Sequence, residues 1–306
     1  MGIDIAFGKY AQSASEYLWL LHNIKLINNS DARTVLVSRD EFKSKSELIL
    51  SEYDTIIVED WFGIDDWVDL NKIDNKKVIF CTTNMQQPQL KHARVIHYNL
   101  MFNRTKLFYT ERFPITRNGR RYTLLLSNNF GENYKRVKYN RTREYDFMFL
   151  NAGRQTTERQ CAENILKTRN GLITNKTNRL PNDKFMNYNP VPAHYWEACY
   201  FNICVESNVH DHNIVHTTEK IWEPIIKYQI PVVLATKHYQ SYMESLGFVF
   251  PIKVFTQPEE YYNFLTEFFT TDVKNFFLKH EDCVKHNHNL FFNLPIDRNV
   301  EQIWKN

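Results

Sequence analysis

Glycine is scarce in this chain, 8 residues in 306, and none falls in a Gly-x-Gly-x-x-Gly or Gly-x-x-x-x-Gly-Lys pattern. Both the glycine-rich dinucleotide turn and the phosphate-cradling loop of kinases and ATPases are therefore missing, and those chemistries lose their usual signatures. The five cysteines (Cys81, Cys161, Cys199, Cys204, Cys283) are odd in number and scattered. They match neither a disulfide framework nor a zinc pattern, so a reducing, cytoplasmic compartment is expected, the host cytoplasm if the source is viral. Long apolar runs are absent too. The richest early stretch, Tyr17 to Ile27, is broken by His22, Asn23 and Lys25, well short of the roughly 18 apolar residues of a membrane span. The opening Met-Gly-Ile-Asp-Ile-Ala has no basic n-region or apolar h-region, and position 6 is Ala where a myristoylation signal needs Ser or Thr. No membrane span or anchor is expected. The net charge of +3 is too small to name a partner.

What the chain does have is the composition of a folded protein, 43% hydrophobic, 24% charged and 15% aromatic, which argues against disorder. Short β-rich runs recur at Ile3–Phe7, Thr34–Val37, Thr55–Val58, Lys77–Phe80, Arg94–Tyr98 and Thr123–Leu126. Amphipathic segments such as Ser13–Ile27 and Arg39–Glu52 lie between them. Strands alternating with helices indicate βαβ units and a parallel sheet, and a run like Thr-Ile-Ile-Val suits a strand buried on both faces. A second series starts at Tyr145. It gives a helix around Glu158–Lys167, a strand at Phe201–Val205, a helix at Glu219–Tyr228, a strand at Pro231–Ala235, a closing strand at Val249–Pro251 and an amphipathic segment at Pro258–Phe268. The expected fold is α/β, two Rossmann-like domains facing across a cleft, residues 1–140 and 141–306.

The densest chemistry lies in Phe201-Asn-Ile-Cys-Val-Glu206, a polar loop, and Thr218-Glu-Lys-Ile221. Thr218 is a good N-cap, and the unpaired N–H groups of a helix start favour an anion. Lys220 adds a full charge against a diphosphate, and Glu219 can accept from ribose hydroxyls. A chance Glu-Lys pair on a solvated helix start explains the same residues about as well. Pro224 is awkward, because an interior proline removes a helical hydrogen bond.

This segment resembles the donor-binding motif of the α-1,3-fucosyltransferases, Phe-Asn-Leu-Cys-Phe-Glu-Asn-Ser, a loop, Tyr-Val-Thr-Glu-Lys-Ile, then an apolar strand after Ile-Pro. The likeness is close from Phe201 to Ala235 and looser from Tyr145 onward. It implies a glycosyltransferase of GT-B type, with a nucleotide-sugar donor (GDP- or UDP-linked) held by the second half. By position, it implies Lys220 on the diphosphate, Glu219 on the ribose, and Glu206 as the glutamate of the motif. It further implies that Arg159 is the arginine near the phosphates, with Arg154 a weaker match. His216 stands where the family has Tyr, and Ser207-Asn208 inverts its Asn-Ser. The first half carries none of the family's acceptor-side motifs, which leaves the acceptor open.

The expected reaction is inverting transfer without a cofactor. Glu59 and Asp60, after the run Thr55–Val58, are the base candidates, though either serves equally as a cap or a loop acid. No Asp-x-Asp triplet of the kind that pairs a metal with a nucleotide sugar is present, so metal-independent chemistry is preferred. His210, Asp211, His212 and His216 suggest a metal site, but loop histidines without a second cluster more often hydrogen-bond or face solvent. Between Arg104 and Arg143, eleven Lys/Arg stand against Glu111 and Glu132, interleaved with aromatics. Arg120, Arg121, Lys135 and Arg136 could there meet an anionic acceptor, a glycan or DNA with hydroxylated bases. A non-catalytic nucleic-acid binder of the same fold is the contrasting reading. A solvated basic linker is the blandest.

Overall fold

The computed structural model describes residues 34–53, 55–60, 78–82, 94–97, 102, 105–106, 114–117, 120–123, 137–151, 156–174, 193–206, 209–210 and 215–295. The expected elements Ile3–Phe7 and Ser13–Ile27 lie outside them, as do Arg154, Lys135, Arg136, Asp211 and His212. The chain divides into two units, Met1–Ser127 with Asn213–His216 and Ile296–Asn306, and Asn128–His212 with Thr217–Pro295.

In the first unit, β1 (Thr34–Ser38), β2 (Thr55–Asp60), β3 (Val78–Thr82) and β4 (Arg94–His97) form a parallel sheet in the order β1-β2-β3-β4. Ile56, Ile57 and Val58 are all fully buried, as a strand covered on both faces requires. Helix α1 (Arg39–Glu52) is kinked at Lys45, whose backbone is non-helical (φ −136°, ψ 23°); it buries Phe42 before the kink and Ile49 after it, and Phe42 meets Phe80 edge-on at 6.3 Å. Strand β2 outruns the expected Thr55–Val58. Glu59 and Asp60 are its last two residues, in register with Cys81 and Thr82, and their side chains are not among those described. β5 (Pro114–Arg117) and β6 (Arg120–Thr123) pair antiparallel, with Arg120 opposite Arg117 and Arg121 opposite Thr116. The strand expected at Thr123–Leu126 meets β6 at Thr123 alone; residues 124–126 lie outside the description.

The second unit is a parallel sheet of β7 (Tyr145–Leu150), β8 (Gly171–Thr174), β9 (Cys199–Val205) and β10 (Ile230–Leu234), in the order β10-β9-β7-β8. The chain links them through α2 (Thr157–Leu166), α3 (Ala193–Glu197) and α4 (Glu219–Ile226), then adds α5 (Tyr239–Ser245), α6 (Pro258–Phe268), α7 (Val273–Lys279) and α8 (Glu281–Asn293). Every residue of β9 and β10 is buried. Pro231, which cannot donate to a ladder, sits on the terminal strand of the described sheet. Phe201 packs against Phe268, Phe269, Phe276 and Phe277, joining the strand to α6 and α7. Gly171 lies opposite Phe147 in the register, and a β-carbon there would collide with the Phe147 ring.

The closing strand expected at Val249–Pro251 does not form. Asn287 of α8 accepts from the Val249 N–H at 2.9 Å and donates to its carbonyl at 2.7 Å, which leaves neither group for a ladder. Phe255 instead makes an isolated parallel bridge to Leu234.

At the amino end of this sheet stands Arg143, buried just before β7. Its guanidinium donates to the carbonyls of Asn140 (3.0 Å), Trp196 (3.4 Å), Tyr228 (2.7 Å) and Cys199, and lies 4.6 Å from the Phe277 ring centre. It ties the starts of three strands together. Burial lowers its pKa to about 10.

Candidate functional site

The order β10-β9-β7-β8 fixes where a ligand crevice belongs. From β7 the chain crosses through α2 to β8 on one side; from β9 it crosses through α4 to β10 on the other. The connections part between β7 and β9, a topological switch point, and open α/β sheets bind ligands there, outside the carboxyl ends of the strands.

Helix α2 is started by Thr156, whose hydroxyl accepts from the Arg159 N–H at 3.4 Å. This turn sends the Arg159 side chain inward. It is buried, and its Nη2 donates to the carbonyl of Val205, the last residue of β9, at 3.0 Å. Arg159 thus reaches from the connection after β7 to the end of β9.

The next residue, Glu206, is also buried. Its Oε1 accepts from the Thr218 N–H (3.3 Å) and the Tyr239 hydroxyl (3.1 Å), and its Oε2 from the Thr218 hydroxyl (2.7 Å). A carboxylate occupied by three donors suits the ionised, acceptor-only form. Tyr239 is fully enclosed; burial, then the Glu206 charge, hold its hydroxyl well above the ordinary tyrosine range, so it remains a donor.

Thr218 caps α4, with extended backbone (φ −116°, ψ 178°) and a hydroxyl accepting from the Lys220 N–H at 3.3 Å. The same oxygen accepts from Lys220 Nζ at 3.2 Å. Pro224 lies four residues beyond Lys220 and has no N–H to offer its carbonyl. The Cys204 thiol donates there instead, at 2.9 Å, so the neighbouring strand repairs the gap in the helix. The helix ends at Ile226, two residues before its expected end, because Tyr228 adopts a left-handed conformation (φ 57°) and stacks on His288 at 3.8 Å.

Of the residues chosen from sequence, Arg159, Glu206, Thr218 and Lys220 come together at the carboxyl end of β9. Glu206 does so as a partner of the protein's own groups, with three donors already on it. Glu219 is the first residue of α4, its side chain not among those described, and His216 is half-buried. Glu59 and Asp60 end β2, and Arg120 and Arg121 lie on β6, both in the first unit. The His210 imidazole pairs with Glu158 at 2.6 Å. Burial alone would raise the Glu158 carboxyl, but its own backbone amide, His210 and Thr156 outweigh burial and hold it below the ordinary glutamate value. Among the described residues no group of three or more His, Cys, Asp or Glu could hold a metal ion. No helix among them is long and apolar enough to cross a membrane.

Tyr239 and the bond made by Cys204 escaped the sequence reading. Nothing near Tyr239 in the chain marks it. For Cys204 a signal existed: the carbonyl orphaned by Pro224 needed a donor, and the thiol belongs to the adjacent strand of the same motif.

No family model matches this sequence, and no curated protein does. Among solved structures the chain is similar to one described as an alpha1,3-fucosyltransferase, with 13% identity over 88% of this chain and 84% of that one, at a TM-score of 0.43. Likeness at this level establishes neither fold nor function.

Proposed function

We propose that this chain is a GT-B type glycosyltransferase that moves a sugar from a nucleotide-diphosphate donor, GDP- or UDP-linked, to an acceptor hydroxyl, with inversion and without a metal. The observation that supports the reading is the delivery of Arg159 and Lys220, by α2 and α4, to the same end of β9 at the switch point. Helix starts, an arginine fork and a lysine are the usual partners of a diphosphate. The motif resemblance assigns the same two residues to the donor.

In the proposed step, a carboxylate base takes the proton of the acceptor hydroxyl. That oxygen attacks the anomeric carbon, and the bond from this carbon to the phosphate oxygen breaks. Lys220, Arg159 and the N–H groups of α4 stabilise the charge gathering on the departing nucleoside diphosphate. The acceptor is a glycan or a hydroxylated base in DNA.

A thermal-shift screen of GDP-, UDP-, CMP- and dTDP-linked sugars tests this. A donor at a hundred times its Kd stabilises the native state by about 2.7 kcal/mol, so one family of nucleotides should raise the melting temperature. Lys220→Ala should lose that rise while unfolding normally on its own. If no sugar nucleotide shifts the wild-type protein, and duplex DNA does so with steep salt dependence, the chain is a nucleic-acid binder instead.

A further inference from the structure

We propose that Tyr239 is a positioning residue for Lys220, acting through Glu206 and Thr218. The inference rests on the reading of Lys220 as a diphosphate ligand.

Hydrogen-bond polarity orders these groups. A threonine hydroxyl has one proton and can accept as well, a carboxylate only accepts, and an ammonium only donates. With Glu206 Oε2 taking the Thr218 proton at 2.7 Å, the threonine oxygen presents only lone pairs to its other side. Those lone pairs receive the Lys220 amide and ammonium, at 3.3 and 3.2 Å. The direction of the Thr218 hydroxyl, and with it the place of the ammonium, depends on where the Glu206 carboxylate sits. Two donors fix Oε1, the Thr218 amide and the Tyr239 hydroxyl. The amide belongs to the same turn as Lys220, so it moves with whatever it is meant to fix. Tyr239 does not. It begins α5, beyond β10, and anchors the set from outside that turn.

The backbone of Lys220 is held separately, by the Cys204 thiol on its carbonyl. The lysine is therefore steadied at its main chain by β9 and at its charged tip by the chain Tyr239, Glu206, Thr218. A flexible four-carbon stem needs both if the ammonium is to wait at one point for a phosphate.

The test compares two chemically identical changes. Tyr239→Phe removes the hydroxyl on Glu206. Tyr261→Phe removes the hydroxyl of another fully buried tyrosine of the same unit, which donates to the Val232 carbonyl at 3.2 Å. GDP, UDP and dTDP are titrated calorimetrically into both variants and the wild-type protein. Tyr239→Phe should weaken the nucleotide that binds by about tenfold, while Tyr261→Phe leaves affinity within twofold of wild type. Equal losses in the two variants, or none in Tyr239→Phe, would overturn the inference and leave the donor reading standing. If wild type binds none of the three, the donor reading itself fails and takes this inference with it. Should Tyr239→Phe not fold, Thr218→Ser and Thr218→Val decide the matter. Serine keeps the relay and must retain affinity, whereas valine, similar in shape to threonine, must lose it; equal affinities contradict the proposal.

Discussion

The second sheet is closed at its two ends by different chemistry. At the amino end the Arg143 guanidinium is enclosed by four backbone carbonyls and a phenylalanine ring. Gln229 adds bonds to the carbonyls of Trp196 and Cys199 and accepts from Asn202. At the carboxyl end the organising group is a buried carboxylate, and its network runs through a helix cap to an ammonium at the switch point. The first pattern joins backbone to backbone and serves to lock strands. The second holds charged side chains in place by other side chains. Arg143, the last residue of the basic stretch that begins at Arg104, is a staple of the sheet.

The contrast can be broken from either end. The largest expected effect is on stability, from Arg143→Ala, which removes a buried guanidinium that bonds four carbonyls and packs on Phe277. It should cost about 3 kcal/mol or more in urea unfolding, with nucleotide affinity unchanged in the protein that remains folded. Lys220→Ala should show the opposite split, about a hundredfold loss of donor affinity and little change in unfolding. Cys204→Ala blurs the boundary: it leaves the Lys220 carbonyl without its thiol donor, for about 1 kcal/mol of stability and a few-fold loss of affinity. The smallest effect concerns Glu158. Its folded carboxyl lies below the ordinary value, so its contribution is fully present above the unfolded pKa and is lost as pH falls through the folded one. His210→Ala should therefore lower the urea midpoint slightly at neutral pH, with the gap to wild type closing in acid below the carboxylate range.

Much of this architecture was legible because periodicity and burial agree. The helix at Arg39–Glu52 and the segment Pro258–Phe268 coincide with α1 and α6, and Thr218 caps α4 as its hydroxyl suggests. Local pattern failed where a distant side chain decided the outcome. Val249–Pro251 is apolar and strand-like, yet Asn287, far along the chain, takes the backbone groups a strand would use. Helix α8 buries Val284, Asn287 and Phe291, and its polar member hides the helical stripe. In the site, charge and motif pointed to Arg159 and Lys220. Glu206 is expected on the donor, and its bonds to Thr218 and Tyr239 are visible only in three dimensions, because Tyr239 comes from a separate helix.

The most direct test of the account is a crystal structure with the nucleoside diphosphate that the screen selects. Phosphate oxygens should lie about 3 Å from Lys220 Nζ, at the start of α4, with Arg159 on the same diphosphate. A diphosphate bound away from the carboxyl end of β9, with both side chains untouched, would contradict it.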